Sequence, residues 1–600
     1  MPWHVTIPRA VQLVIDDVGW REGWRLDDQG GPYRAGIDRL LGPADYAAIA
    51  DLGQALGIRP TAAMVLCEWD RENVCARQPT CTQAGAAWDN SARAGAWSDE
   101  AARCFAERAA HIELALHGVG HEHWDDGRIT RAEYYAHGQG KWRWEDLQGH
   151  LEVFRAILDQ HGLGPAAGHR LPRHFIPCAF AYLLDEADDT DTGALVASAG
   201  CEWCSTPFGA LTQRTPLPAA TGGVNHGVLI VDRGNNGVPW YAVDQVPAQI
   251  MGQVVDEDSP LLAEAAAVAP RLSAEEVDLL LARRPLGAAA DQERLVAAHL
   301  PLAVAEARLY LGHGLNAAGL LAAAREGLER AVQTFAVARG LTFETWAELA
   351  VRDAVEQALA AADVPAPRPA PIAPGFICGI HWPNLLAADP AENDVAVGHW
   401  RAHLEQVGAQ SGQMLAGNAR EAFAQWAWHT FGRVSGTDDG FVLDMSAVPP
   451  DVRAAVGAMP VIVEISGAQR LGRVVAGELR PVWYRRQGNR SFVAVQVDGD
   501  GGRVAFAPSG PLQPVVLRED GANVLDLTAS AEGLELAVEV FGTQTVPLAP
   551  GFAPGTVEVA GGGLELVERR DNPALGVMHL RLRARDAQGA TGRVQIHRQP

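Results

Sequence analysis

The chain has 600 residues, of which 48% are hydrophobic, and this is enough for several domains with large buried cores. Its 49 Lys and Arg residues against 73 Asp and Glu residues give a formal charge of -24. A charge of this sign repels nucleic acid and anionic lipid surfaces, so the composition predicts neither a nucleic-acid partner nor a membrane partner. It does not indicate the oligomeric state.

The first ten residues lack the charged and apolar regions of a secretory leader, and no apolar run is long enough to span a bilayer. These features predict a cytoplasmic protein. Eight cysteines are too few for a disulfide scaffold, and we expect reduced thiols. The Cys201-x-x-Cys204 pair has no second pair at zinc-ribbon spacing, and a bond between Cys75 and Cys81 is left open.

Residues 1–245 alternate short β-branched runs with amphipathic stretches, which is typical of repeated βα units around parallel strands. Helical spacing of apolar residues covers 45–56, 100–110 and 147–160. The candidate strands are 11–16, 61–67, 111–117, 166–171, 199–205 and 227–232.

Residues 258–363 change to an Ala-, Leu-, Glu- and Arg-rich composition with helical periodicity, which predicts a helical insertion. The Pro-rich stretch 364–371 cannot continue a helix, and an apolar seventh strand over 375–380 follows it. Alternating β-type segments then fill the rest of the chain. We therefore predict an α/β domain over 1–435 and a C-terminal antiparallel β-sandwich over 436–600.

Two pairs of polar residues follow predicted strands. Asp16 and Asp17 end the first, and His117 and His121 end the third. Parallel α/β sheets carry their chemistry at the carboxyl ends of strands, and His-His-Asp with open positions suits catalytic zinc, with manganese, iron or cobalt as alternatives. The competing interpretation is a hydrogen-bonded core histidine and two helix caps. His123 is a competing ligand.

These motifs resemble those of the polysaccharide deacetylase superfamily, which includes carbohydrate esterase family 4. Val14-Ile15-Asp16-Asp17-Val18-Gly19 is similar to its Thr-Phe-Asp-Asp-Gly motif, and His117-Gly118-Val119-Gly120-His121 to its His-(Ser/Thr)-x-x-His motif. The resemblance covers about residues 8–435. It implies a distorted (β/α)7 barrel, Asp16 as general base, and Asp17, His117 and His121 as metal ligands.

Two further motifs extend the resemblance. Arg170-Leu171-Pro172 is similar to Arg-x-Pro, which implies that Arg170 orients the base, although a surface ion pair is the alternative. Cys378-Gly379-Ile380-His381 resembles Leu-x-His loosely, which implies that His381 protonates the leaving group, with His226 as its rival. The family's Asp-Trp motif is not evident: Glu202-Trp203, Asp232 and Asp244 lie near its place.

The chain has seventeen tryptophans, and several lie close to the motif loops. Aromatic faces stack on sugar rings, so we expect Trp20, Trp124 and Trp382, with Asn384 in the same turn as Trp382, to bind substrate. The alternative is that these tryptophans are core residues.

The predicted function is a divalent-metal-dependent hydrolase that removes an acetyl or other acyl group from an amino sugar or other carbohydrate, through an amide or ester bond. One alternative is a glycoside hydrolase on a related seven-stranded barrel, which would use two carboxylates and no metal. The other is a non-catalytic carbohydrate-binding protein. All three predict a carbohydrate partner.

Overall fold

The structure is a computed structural model. It describes residues 3–22, 37, 39–125, 128–130, 132–135, 142–185, 187–207, 211–213, 223–235, 265, 272, 274–283, 289–308, 315–335, 343–361, 376–466, 471, 474–507, 514–518 and 521–599.

Helices and strands alternate in the first part of the described chain. The helices are α1 (Pro43–Leu56), α2 (Ala96–Glu107), α3 (Trp144–Gln160), α4 (Thr192–Ser198), α5 (Ala274–Arg283), α6 (Ala289–Arg308), α7 (Ala317–Thr334), α8 (Phe343–Ala361), α9 (Asn393–Ala409), α10 (Ala419–Phe431) and α11 (Pro450–Val456). The strands up to residue 415 are β1 (His4–Thr6), β2 (Arg9–Val18), β3 (Thr61–Val65), β4 (Glu113–Gly118), β5 (His123–Asp125), β6 (Arg128–Thr130), β7 (His174–Phe175), β8 (Tyr182–Leu184), β9 (Trp203–Thr206), β10 (Leu211–Gln213), β11 (Gly223–Asn225), β12 (Val228–Asp232), β13 (Gly234–Asn235), β14 (Ile377–His381) and β15 (Gln413–Leu415).

Seven parallel strands carry the candidate site, paired in the order β12, β9, β7, β4, β3, β2 and β14. Strand β13 follows β12 after one residue, Arg233, and pairs with β14 at the far end of this order. Because β12 and β13 are separated by only one residue, the order of paired strands ends on the stretch of chain where it began. We call this arrangement the ring of strands. Strand β2 is buried from its second residue onward, as expected for a parallel strand covered on both faces.

One end of this ring of strands is covered by helix α10. Gln425 donates from Nε2 to the carbonyl of Pro8, just before β2 begins. The Phe423 ring packs 5.1 Å from the His174 ring and 6.0 Å from the Trp203 ring, measured between centroids. The amino ends of the strands are thus closed by apolar packing, which leaves the carboxyl ends for polar side chains.

Most of the predicted strands overlap observed ones, but the strand predicted over 166–171 is wrong. A single helical turn spans Pro165–Ala167 instead, and the strand at this point is β7 (His174–Phe175). The physical reason is local. Gly164 and Gly168 bracket the turn, and Pro172 lacks the N–H that a central parallel strand must donate.

The segment predicted as a helical insertion contains α5, α6, α7 and α8. Its buried residues, among them Leu295, Leu320 and Val351, form an apolar cluster separate from the others. Within the described residues, this segment therefore has its own core. The predicted Pro-rich stretch 364–371 lies outside the described residues, as do residues 258–264.

The C-terminal part is almost entirely β-structure. Its strands are β16 (Arg433–Gly436), β17 (Gly440–Asp444), β18 (Val461–Ser466), β19 (Val474–Gly477), β20 (Arg480–Gln487), β21 (Arg490–Gln496), β22 (Gly501–Phe506), β23 (Val515–Leu517), β24 (Asn523–Ala529), β25 (Gly533–Val540), β26 (Thr543–Ala549), β27 (Pro554–Ala560), β28 (Leu564–Asn572), β29 (Val577–Ala584) and β30 (Ala590–Arg598). They form one eight-stranded sheet and two four-stranded sheets, and β1 joins the larger sheet by pairing with β18. The amino-terminal strand therefore packs with the C-terminal part, across the predicted boundary at 435/436.

A buried carboxylate joins the two parts. Glu539 on β25 accepts from Arg173 Nη1 at 2.7 Å, from Arg420 Nη1 at 3.0 Å and from Asn523 Nδ2 at 2.8 Å. Arg173 also pairs with Glu202, and its guanidinium carbon lies 4.3 Å from the ring centroid of Trp203. Burial would raise the pKa of Glu539, but the two arginines and Asn523 lower it to about 2.

Among the described residues, no helix combines the length and the apolar character that crossing a bilayer requires.

Candidate metal centre

Asp17, His117 and His121 converge on one point at the carboxyl ends of β2 and β4. Asp17 Oδ1 lies 3.3 Å from His117 Nε2 and 3.5 Å from His121 Nε2. Two donors each about 2.0–2.1 Å from a tetrahedral zinc ion are about 3.3–3.4 Å apart. All three side chains are buried, which concentrates one carboxylate and two imidazoles in a region of low dielectric constant.

The His117 ring is held in one orientation. Its Nδ1 lies 2.7 Å from the carbonyl oxygen of Ile176, so that Nδ1–H donates there and Nε2 faces Asp17. Metal-binding histidines commonly donate their second ring N–H in this way. Burial lowers the pKa of His117, but the contact with Asp17 outweighs it and the net shift is upward, whereas burial lowers the pKa of His121 to about 4.

Burial would also raise the pKa of Asp17. The hydrogen bond with His117 and the nearby imidazoles of His121 and His381 instead hold it well below its usual range. Asp17 has a backbone φ of 64° and His121 a φ of 59°. The left-handed region costs a non-glycine residue about 1 kcal/mol or more, and such residues cluster at functional sites.

The loop between the two histidines is organised by Glu133. Its carboxylate accepts the backbone N–H groups of Val119, Gly120 and His121 at 2.9 to 3.2 Å, and it contacts His150 Nδ1 at 2.8 Å. The glycines make room for this arrangement: a Cβ at Gly118 would lie 2.2 Å from Glu133 Oε2, and one at Gly120 would lie 2.1 Å from the Cys81 carbonyl. Sequence reasoning missed Glu133 because it carries no motif.

Cys178 is a further donor that sequence reasoning missed. The possible ligand atoms of His117, His121 and Cys178 all lie within 4.8 Å of one another. The thiol donates weakly to the His117 carbonyl oxygen at 3.1 Å, and burial raises its pKa well above the usual value. No ordinary pattern in the sequence connects this cysteine to the two histidines.

Asp16 is paired with Arg233, and not with the predicted Arg170. Arg233 Nη1 and Nη2 each lie 3.0 Å from one carboxylate oxygen of Asp16, and both side chains are buried. The Arg170 side chain is 49% exposed and pairs with Asp586 in the C-terminal part, as the surface alternative expects. The prediction for Arg170 fails because the segment that carries it is not a strand, and its side chain contacts the connection between β29 and β30.

His381 is the last residue of β14, and the strand register places it beside Asp16 on β2. Its Nε2 lies 3.8 Å from Asp17 Oδ2, and its side chain is 19% exposed. It is therefore the most accessible of the predicted catalytic and metal-binding residues gathered at this point. Its rival, His226, lies elsewhere and pairs with Asp191 at 3.4 Å.

His123, the competing ligand, does not face the centre. Its ring stacks on Trp142 with centroids 4.0 Å apart, and it lies parallel to His150 at 5.6 Å. Burial lowers the pKa of His123 to about 4.

The residues predicted to bind substrate are mainly structural. Trp20 and Trp382 are fully buried in the core of the ring, as the core alternative expects. Asn384 is also buried, and its Oδ1 accepts the backbone N–H of His381 at 2.9 Å, which fixes the turn. Trp124 is half-buried and donates to Glu122 at 2.6 Å.

Gly379 offers a test of the Asp16–Arg233 pair. A Cβ at this position would lie 1.9 Å from Arg233 Nη2, so we expect Gly379→Ala to displace the guanidinium and leave a buried charge unpaired. The expected loss of stability is about 3 kcal/mol in urea unfolding. Gly398 in α9 has open space around it, so Gly398→Ala should change stability by less than about 1 kcal/mol. Equal effects would contradict the assignment.

Comparison with known families gives a match over part of the chain. Residues 295–363 match the family Sigma-70 region 2. In the described part of the chain this range covers most of α6 and all of α7 and α8.

This match corrects several predictions made from the sequence. It points to a sigma-factor-like region and not to the polysaccharide deacetylase superfamily, so that assignment is wrong. The match also contradicts the predicted carbohydrate hydrolase and the carbohydrate partner. It gives no support to the glycosidase and carbohydrate-binding alternatives. The exclusion of nucleic acid is also wrong, because a charge of -24 averaged over 600 residues does not describe the surface of one helical segment.

Proposed function

We propose that the chain is a metal-dependent enzyme with one divalent ion, zinc first among the candidates, bound by Asp17, His117 and His121. The observation that carries this proposal is the spacing of 3.3 and 3.5 Å from Asp17 Oδ1 to the two Nε2 atoms. The ring of parallel strands supports this proposal, since a (β/α)7 barrel would hold its site at the carboxyl ends of the strands.

The roles of the neighbouring residues follow from their positions. A bound divalent ion would supply a Lewis acid that polarises an oxygen atom of a substrate. Asp16, held by a hydrogen bond from Arg233 Nη1 and by the ion pair with the same guanidinium, would accept a proton, and the partly exposed His381 would exchange one with the substrate. The buried Trp20 ring lies 6.2 Å from the His121 ring, between centroids, and would keep water from that side of the site.

Elemental analysis of the purified full chain tests this proposal. After equilibration with zinc and dialysis, we expect about one zinc per chain, lost on treatment with a chelator. Less than about 0.1 zinc per chain would overturn the proposal.

Glu133 should tune the site without contacting the ion. We expect Glu133→Gln to weaken zinc binding by about 10- to 100-fold, because the loop that carries His121 loses a charged acceptor of three N–H groups. The control is Glu122→Gln, whose carboxylate bonds Trp124 and should leave zinc affinity within about threefold. Competition with a zinc-sensitive dye measures both, and equal affinities would contradict the role of Glu133.

The Sigma-70 region 2 match supports a second proposal: helices α6 to α8 act in transcription, with the RNA polymerase core and promoter DNA as partners. Arg325 pairs with Glu293 and Glu329, and Arg330 pairs with Glu326 and Asp353. Because these arginines are already neutralised, we expect protein contacts with the polymerase core to dominate over phosphate contacts.

Size-exclusion chromatography of the full chain with the polymerase core tests this second proposal. Co-elution is expected, and Arg325→Glu should weaken it at least tenfold. Arg593→Glu is the matched control, since Arg593 is also exposed and paired, but with Glu535 on a C-terminal sheet. Failure of the wild-type chain to co-elute, or an equal effect of the control, would contradict the proposal.

A further inference from the structure

A cavity of about 260 Å³ is lined by three parts of the protein and shares no residue with the metal centre. Its walls come from the end of α1, from α6, from α9 and from β20 with its neighbour Arg518. The apolar part includes Leu56, Ile58 and Leu415. This volume is just below the usual range of about 300–1,000 Å³ for ligand pockets, so it suits a small metabolite.

The charges around this cavity are unevenly compensated. Both of its acidic residues already have arginine partners: Glu306 pairs with Arg352 at 2.8 Å, and Glu405 pairs with Arg401 at 2.7 Å. Of its three arginines, Arg518 pairs with Glu421. The remaining two have no acidic partner within the described part of the chain.

Of these two arginines, Arg485 gives the stronger indication of a missing acceptor. Its Nε is buried and has no hydrogen-bond acceptor among the described residues. Its guanidinium carbon lies 5.0 Å from the ring centroid of Phe492, which supports the cation without satisfying its N–H groups. Arg486, the next residue of β20, donates from Nε to the carbonyl oxygen of Gly488 at 3.0 Å.

A buried N–H group without an acceptor, such as Nε–H of the half-buried Arg485, is costly to a folded protein. Burial, with Arg518 nearby, lowers the pKa of Arg485 to about 10, which agrees with an uncompensated charge. The carbonyl ends of α1 and α9 also reach the cavity and oppose an anion, so the attraction must come from the guanidinium groups at contact distance.

We propose that this cavity is a binding site for a small molecule with an oxyanion group, a phosphate or a carboxylate, held by Arg485 and Arg486. Arg485 is well suited to this role, because its planar fork of N–H groups matches two oxygens of either group. The site is independent of the metal centre.

Equilibrium dialysis of the full chain with labelled inorganic phosphate, at constant ionic strength, tests the proposal. We expect about one phosphate per chain with a dissociation constant below about 1 mM, and at least tenfold weaker binding for Arg485→Met. The control is Arg570→Met, at an exposed arginine paired with Glu568, which should bind as the wild type does. A second measurement adds unlabelled citrate. If citrate displaces the labelled phosphate at lower concentrations than unlabelled phosphate does, the ligand is a carboxylate. If citrate does not displace the labelled phosphate, the ligand is a phosphate.

Misfolding of the variant is checked separately. Because Arg485→Met removes a cation whose buried Nε has no acceptor, the melting temperature of the variant in anion-free buffer should equal or exceed that of the wild type. The proposal is overturned if the wild type binds neither phosphate nor citrate, or if Arg485→Met binds them equally well.

Discussion

Glu539→Gln should lower the stability of the chain by about 3 kcal/mol or more. The substitution removes the charge that Arg173 and Arg420 share, in a position where Glu539 is only 1% exposed. Breaking a buried ion pair from one side costs about 3–5 kcal/mol. Arg173 keeps its exposed partner Glu202 but loses the buried one, and Arg420 loses its pair with Glu539. Urea unfolding followed by circular dichroism measures the loss.

The same carboxylate predicts a pH dependence. The pKa of Glu539 is lowered to about 2 in the folded chain, from an ordinary value of about 4.5. A depressed pKa contributes stability above the ordinary value, and the contribution is lost as pH falls from about 4.5 towards 2. Over about 2.5 pH units this amounts to about 3 kcal/mol. The wild type should therefore lose more stability than Glu539→Gln over this interval.

Glu202 provides the matched control for Glu539. It pairs with the same arginine, Arg173, but its side chain is 43% exposed. Exposed ion pairs contribute about 0–1 kcal/mol, so Glu202→Gln should have a small effect. If both substitutions cost the same, the buried network does not hold the two parts of the chain together.

His121→Ala should weaken zinc binding by more than about 100-fold. Loss of an outer hydrogen-bond partner costs about 10- to 100-fold in metal affinity, and loss of a ligand costs more. His121 also carries a backbone φ of 59°, which alanine tolerates less well, so the substitution removes both the donor and the geometry of the loop. Competition with a zinc-sensitive dye gives the affinity.

His123→Ala separates this effect from general damage to the loop. His123 is two residues away and buried, but it stacks on Trp142 and faces away from Asp17. Its replacement should change zinc affinity by less than about threefold, although it costs packing. Equal losses in the two variants would mean that His121 acts through the fold and not as a ligand.

The grouping of Asp16, Asp17, His117, His121 and His381 could be predicted from the sequence. Each follows a short apolar run, and the carboxyl ends of neighbouring parallel strands meet at one edge, so residues far apart in the chain come together. The assignment of a family, and of a chemistry on sugars, could not be drawn from the same residues, since similar sites occur on proteins of different function.

The partner of Asp16 could not be predicted, because it depends on how the ring closes. Arg233 lies between β12 and β13, at the one residue where the chain passes from pairing with β9 to pairing with β14. A sequence contains no direct signal for that passage, although an arginine directly after an apolar strand was a usable hint. The prediction for Arg170 depended on the Arg-x-Pro motif. Pro172 of that motif also disfavours a central strand at this point.

Periodicity correctly predicted helices over much of 258–363 but gave no indication of their relationship to Sigma-70 region 2. Apolar spacing encodes which face of a helix is buried, and many unrelated bundles share that pattern.

A crystal of the full chain soaked in zinc, with data collected on both sides of the zinc absorption edge, tests the central claim most directly. We expect one anomalous peak about 2.0–2.2 Å from a carboxylate oxygen of Asp17 and from Nε2 of both His117 and His121. No peak at this position, or a peak bound only by other residues, would contradict it.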